Sequence, residues 1–161
     1  MTKTIIIGYG NTLRRDDGAG VAAAETLARV HPEANVMTAK GLYPELAERV
    51  AACEMAVFLD ASARTSNVCV TRLTPESTIH GAGGHALSPG EVLGLCCEMY
   101  AGAPRVAMLV EIPAFEWGFG ETMSARTCMM VDRCVQLISE LLRGETTPEI
   151  LAHLAPSPAI D

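Results

Sequence analysis

Two adjacent carboxylates, Asp16 and Asp17, lie close to the start of this 161-residue chain. They follow an apolar run at 4–7 and a glycine-rich turn, G-Y-G-N at 8–11, and they precede a helical pattern. Carboxylates at this point can hold a cation or a proton. A dinucleotide-binding loop, in contrast, leaves the helix N-terminus free for a phosphate and needs a small residue where Leu13 stands.

Two more polar side chains fall at or after the ends of predicted strands. Asp60 ends the apolar strand Met55–Asp60, and His85 follows the loop G-A-G-G at 81–84. Because ligands bind at the carboxyl ends of the strands in α/β sheets, Asp17, Asp60 and His85 are predicted to converge there. Two carboxylates and one imidazole, with positions left open, suit a divalent transition metal such as Ni²⁺ or Zn²⁺.

Each of these residues also has a structural interpretation. Asp16 or Asp17 can cap the helix that follows. Asp60 can be a hydrogen-bonded turn residue, and His85 can be an exposed loop histidine. The pattern by itself leaves these alternatives open.

Other reactive or aromatic side chains give weaker signals. The six cysteines form no C-x-x-C pair, which argues against a structural zinc site and predicts buried free thiols. Trp117 is predicted to pack within its own loop. The remaining histidines are predicted to lie on the surface: His31, His80 and His153.

Alternating strand and helix patterns predict the elements that position these residues. The predicted strands are Ile5–Gly8, Asn35–Thr38, Met55–Asp60, Asn67–Leu73 and Arg105–Ile112. The predicted helices are Gly18–Val30, Pro44–Ala52, Ser88–Met99 and Ser124–Arg143, and Ser88 and Glu91 have capping-box spacing. This order predicts an α/β fold, a three-layer sandwich around a largely parallel sheet, with the strand at 67–73 at an edge.

Composition limits the classes of function. Apolar residues make up 49% of the chain and the formal net charge is −7, which predicts a globular protein that does not bind nucleic acid. No apolar stretch is long enough for a membrane span and no signal peptide is evident, so a cytoplasmic protein is predicted. Residues 1–161 are predicted to form one domain, with 145–161 as a loosely held C-terminal tail.

The first motif, G-Y-G-N-T-L-R-R-D-D-G-A-G-V at 8–21, resembles the N-terminal signature of the hydrogenase maturation endopeptidases. These proteases remove the C-terminal extension of the nickel–iron hydrogenase large subunit. Three later stretches are similar to further motifs of the family in the same order, namely a strand ending in aspartate at 57–61, a histidine loop at 85–89 and a late loop at 112–124. The agreement extends over roughly residues 4–140.

The resemblance implies a twisted five-stranded sheet between helices and the activity of an aspartyl-type, nickel-dependent endopeptidase. It places the metal-contacting positions of the family on Asp17, Asp60 and His85, which are therefore also the predicted catalytic residues. The nickel is expected to arrive inside the substrate, the large-subunit precursor, and Zn²⁺ or Cd²⁺ are expected to substitute for it. The residues leave open whether the metal activates the attacking water or a carboxylate acts as general base. The alternative function is a non-catalytic, metal-sensing assembly factor that binds the same precursor.

Overall fold

The computed structural model describes residues 3–77 and 86–156. Its strands are β1 (Thr4–Tyr9), β2 (Asn35–Ala39), β3 (Met55–Ser62), β4 (Cys69–Arg72) and β5 (Val106–Pro113). Its α-helices are α1 (Ala19–Val30), α2 (Leu46–Ala51), α3 (Pro89–Met99), α4 (Ala125–Leu142) and α5 (Pro148–Leu154). A short 3-10 helix, Arg15–Gly18, precedes α1.

The strands form one five-stranded sheet in the order β2-β1-β3-β5-β4. Strands β1, β2, β3 and β5 are parallel, and β4 pairs antiparallel with β5 at an edge. The α/β fold with a largely parallel five-stranded sheet is thus confirmed, and so is the edge position of the fourth strand. The central β3 lies between β1 and β5, so residues at its carboxyl end have neighbours from two strands.

Helices cover both faces of the sheet because the inner strands are apolar on both sides. Ile6 points to the layer that contains α1, α4 and α5, and Ile5 and Ile7 point to the layer that contains α2 and α3. All three isoleucines are at most 1% exposed. The sheet therefore forms a rigid platform whose carboxyl edge is free to carry a site.

Several element boundaries differ from the prediction. Strand β3 continues beyond Asp60 to Ser62, because residues 61 and 62 pair with the long strand β5. Helix α1 begins after Gly18, and no side chain caps it, so the proposed capping role of Asp16 or Asp17 on this helix is wrong. The predicted capping box of α3 is present, with Glu91 N–H donating to Ser88 Oγ at 3.1 Å and Ser88 N–H donating to Glu91 Oε2 at 2.7 Å.

The described part of the C-terminal segment packs against the sheet. Thr147 caps α5, and Leu151 in this helix is fully buried. Val70 of the edge strand donates its backbone N–H to the Ala155 carbonyl at 2.6 Å. Residues 145–156 thus differ from the predicted loose tail, because one apolar side chain and one backbone hydrogen bond fix them beside β4.

Two groups of side chains differ from their predicted exposure. His31 is 8% exposed and contacts Ser139 Oγ at 2.8 Å through Nε2, so the prediction of a surface histidine is wrong there, while His153 is exposed. All six cysteines are free, but Cys97 and Cys128 are exposed. His80 lies outside the described residues.

Candidate active site

Asp17 lies at the carboxyl end of β1, in the 3-10 helix that leads into α1. The backbone N–H of Asn11 donates to Asp17 Oδ2 at 2.9 Å. Gly10 has φ +144°, and a Cβ there would clash with the Asp17 carbonyl oxygen, so only glycine allows this close return of the chain. A Cβ on Gly20 would likewise clash with the Leu59 carbonyl oxygen. The two glycines therefore bring the start of α1, with Asp17, directly against β1 and β3.

Asp60 lies on β3 and is half-buried. Its pKa is raised to about 6, mainly by burial and to a smaller extent by the negative charges of Asp17 and Glu111, against the opposing effect of hydrogen bonds from Tyr9 and the backbone of Ala61. The charge of Asp17 acts on Asp60 because the two carboxylates share one edge of the sheet. The structure thus brings together two of the three predicted site residues, Asp17 and Asp60.

His85, the third predicted residue, lies outside the described residues. The chain on its C-terminal side returns beside the sheet, since Leu87 N–H donates to the Leu42 carbonyl at 2.7 Å. Within residues 3–77 and 86–156, no three His, Cys, Asp or Glu side chains form a group that could hold a metal ion. Of the three predicted site residues, the described part of the chain thus contains the two carboxylates.

Glu111 is a third carboxylate at this edge, and it was not predicted from the sequence. It lies on β5 directly opposite Asp60 in the strand register and is 5% exposed. Ser62 Oγ donates to its Oε1 at 3.1 Å, and the Arg64 guanidinium donates to the same oxygen at 2.7 Å. A glutamate inside the apolar run V-A-M-L-V-E-I was the available signal, because a buried charge needs a partner.

Tyr9 is a fourth member of the site, and it was not predicted from the sequence either. It ends β1, and its hydroxyl hydrogen bonds to Asp60. Burial raises the pKa of Tyr9 far above its usual range, and the charge of Asp60 and the hydrogen bond to it raise it further. The phenol therefore stays protonated at any physiological pH and donates to the Asp60 carboxylate.

Asp16, the neighbour of Asp17, has a different environment. It is fully buried and its carboxylate accepts five hydrogen bonds from the late loop and the start of α4. The donors are the backbone N–H groups of Phe115, Glu116 and Ser124 and the hydroxyls of Ser124 and Thr127, at 2.6–2.9 Å. Burial alone would raise the pKa of Asp16, but these donors hold it well below its usual range. Its role is to join the Asp17 segment to the loop 113–124.

Negative charge gathers at the carboxyl edge of the sheet. Two like charges, Asp17 and Asp60, lie together, Glu111 adds a third, and Arg64 is paired with Glu111. Oxygen ligands from two carboxylates suit a divalent ion, and an added cation removes their mutual repulsion. A cavity of about 1020 Å³ lies elsewhere, at the amino ends of the strands, where Thr4, Met55 and Val106 line it. Asp17 and Asp60 therefore lie at an edge of the sheet and do not line this cavity.

No protein-family model and no curated protein matches the chain. Solved structures do. The [NiFe] hydrogenase maturation protease HycI from Thermococcus kodakarensis KOD1 is 26% identical, with a TM-score of 0.66 over 88% of this chain and 93% of that one. The hydrogenase maturating endopeptidase HybD from E. coli is 18% identical, with a TM-score of 0.69 over 89% of this chain and 93% of the other.

A third structure is similar in the same way. The [NiFe] hydrogenase maturation protease HybD from Thermococcus kodakarensis is 23% identical, with a TM-score of 0.64 over 86% of this chain and 98% of that one. Each likeness covers most of both molecules. The resemblance to the hydrogenase maturation endopeptidases, predicted from the motif at 8–21, is thus confirmed in three dimensions.

Proposed function

We propose that this protein is an endopeptidase that removes the C-terminal extension of a nickel–iron hydrogenase large-subunit precursor after nickel has been inserted. One observation carries the proposal: Asp17 and Asp60 converge at the carboxyl edge of a sheet whose fold matches solved hydrogenase maturation proteases. No helix within residues 3–77 and 86–156 has the length and apolar character needed to cross a bilayer. The proposed place of action is the cytoplasm.

The two carboxylates supply oxygen ligands toward the nickel of the substrate. In this proposal Asp17, Asp60 and His85 contact a metal that the precursor already holds, and the precursor completes the coordination. Such contacts form only when nickel is present, so a precursor without nickel lacks the anchoring interaction. Zn²⁺ or Cd²⁺ can bind to the same oxygen ligands.

Hydrolysis needs a water oxygen to attack the scissile carbonyl carbon, a base to take the proton of that water, and a proton for the leaving amine. A carboxylate of the Asp17–Asp60 pair can take the proton and return it to the amine. The substrate metal can polarise the carbonyl or lower the pKa of the water. A serine nucleophile lacks its usual motif, since the sequence has no G-x-S-x-G, and a self-sufficient zinc-protease site lacks its motif too, since there is no H-E-x-x-H.

The test uses purified, metal-free protein and two preparations of one precursor, one loaded with nickel and one without it. Mass spectrometry is expected to show loss of the C-terminal extension only in the nickel-loaded precursor. Serine- and cysteine-directed inhibitors should leave the rate unchanged. A stable complex with no change in mass would instead identify a non-catalytic assembly factor, and equal cutting of both precursors would refute the dependence on nickel.

A further inference from the structure

Two exposed apolar side chains lie next to the Asp17 segment. Leu13 is 57% exposed and Phe119 is 90% exposed. The Arg14 guanidinium lies over the Phe119 ring, 5.7 Å from its centroid. We call Leu13, Arg14 and Phe119 the aromatic rim. Single exposed apolar residues are common on proteins, so the rim needs more than exposure to indicate a binding surface.

The backbone that carries the rim is firmly held. Arg15 N–H donates to the Gly120 carbonyl and Gly120 N–H donates to the Leu13 carbonyl, both at 2.8 Å. Arg15 also donates through Nε to the Thr122 carbonyl at 3.0 Å and forms an ion pair with Glu116. Phe119 is therefore presented to solvent by a segment whose neighbours are fixed on both sides.

The rim is also positively charged in a chain whose formal net charge is −7. Arg14 is exposed, and Arg126 lies 3.9 Å from the centroid of the Phe115 ring in the same loop. Across the described ranges, 3–77 and 86–156, neither guanidinium forms an ion pair with a carboxylate. The surface thus offers an apolar contact beside a cation, Arg14, to which an acidic side chain can bind.

We propose that the aromatic rim binds the precursor segment that leads into the metal, with an apolar side chain against Leu13 and Phe119 and a carboxylate near Arg14. This inference rests on the proposed function. Asn11, whose N–H donates to Asp17, is only two residues from Leu13, so the rim lies beside the segment that carries Asp17 and is within reach of a peptide bound there. A leucine and a phenylalanine also bury far less than the ~800 Å² per partner of a stable protein interface, which favours a peptide segment over a second folded copy.

The experiment measures kcat and KM on nickel-loaded precursor for Phe119→Ala, Leu13→Ser and Arg14→Gln. Phe119→Ala is expected to raise KM about tenfold with kcat unchanged, because burial of the ring is lost only in the complex. Arg14→Gln should raise KM at low salt and have little effect at high salt. Met99→Ala, which removes a side chain that is 65% exposed at the end of α3, is the matched control and should change neither constant.

The outcomes separate this inference from the proposed function. If the unaltered protein does not cut the precursor, the proposed function is wrong. If it cuts and Phe119→Ala and Leu13→Ser both retain the original KM with unchanged thermal stability, the rim is not the binding surface. If sedimentation shows a dimer that Phe119→Ala dissociates, the rim is an interface between copies, and the peptide-binding inference is overturned.

Discussion

Asp16 and Asp17 are neighbours in the chain, and their surroundings are opposite. Asp16 is fully buried, with five donors on its two oxygens. Asp17 is half-buried, accepts a hydrogen bond from Asn11, and lies near a second carboxylate, Asp60. Saturation by donors is typical of a carboxylate that holds structure together. A carboxylate with few hydrogen-bond donors and a second carboxylate nearby is typical of a functional site that can bind a cation.

The two carboxylates are nevertheless connected. The donors to Asp16 belong to the loop 113–124 and to the first turn of α4, more than 95 residues away along the chain. Asp16 N–H also donates to the Glu116 carbonyl at 3.0 Å. The structural carboxylate thus fixes the segment on which the functional one lies, and substitutions can separate the two roles.

The largest effects are expected for the site itself. Asp17→Asn, Asp60→Asn and His85→Ala should each lower the rate of precursor processing on the order of 100-fold or more, because each removes a proposed metal contact or base. Circular dichroism should show all three variants folded. Mass spectrometry of nickel-loaded precursor gives the rate. Normal processing by all three variants would falsify the site assignment, and loss of folding in all three would favour a structural role.

The next largest effect separates Asp16 from Asp17. Asp16→Asn replaces one accepting oxygen by an amide that meets N–H donors, so the free energy of unfolding should fall by about 2–4 kcal/mol. Asp17→Asn, the matched control, should change it by less than about 0.5 kcal/mol. Urea unfolding of both variants checks this. Equal stability of the two variants would contradict the contrast between the neighbouring carboxylates.

The contrast between Asp16 and Asp17 was not predictable from the sequence. Both residues fit a helix cap locally, and the donors to Asp16, such as Thr127, are distant in the chain. The fold was predictable because apolar runs and helical spacing are local signals. The convergence of Asp17 and Asp60 was predictable because parallel strands carry their carboxyl ends to one edge.

Glu111 and Tyr9 were missed for a related physical reason. Glu111 lies within β5 and Tyr9 ends β1. The local sequence pattern of a strand predicts its backbone conformation, but it does not predict which side chains of neighbouring strands are in contact. Only the register shows that Glu111 faces Asp60. The buried position of His31 was missed likewise, because its partner Ser139 lies on α4, a helix far along the chain.

A smaller effect tests the electrostatic cost of the site. The pKa of Asp60 is raised from 3.8 to about 6, so between these values the folded protein holds more protons than the unfolded one, and stability falls as the pH rises. Asp60→Asn removes the carboxylate and therefore this fall in stability with rising pH. The variant should be about 2 kcal/mol more stable than the unaltered protein at pH 7, with the difference shrinking toward pH 4. Urea titrations at several pH values measure it. A constant difference between pH 4 and 7 would show that Asp60 is not destabilised by its charge.

The smallest effect is expected for metal ions added to the isolated protein. Asp17 and Asp60 repel each other, so Ni²⁺, Zn²⁺ or Cd²⁺ should bind weakly and relieve that repulsion, while the protein stays folded without metal. At millimolar concentration the gain in stability should be about 1 kcal/mol, because the binding is weak. Calorimetric titration measures the metal affinity, and thermal unfolding measures the gain in stability.

Three variants are the controls for this prediction. Asp17→Asn and Asp60→Asn should each abolish the gain in stability on adding metal, whereas Asp16→Asn should retain it, since the carboxylate of Asp16 is already saturated by hydrogen-bond donors. Tight stoichiometric zinc that is required for folding would indicate a structural metal site, and the distinction drawn between the two neighbouring carboxylates would then fail.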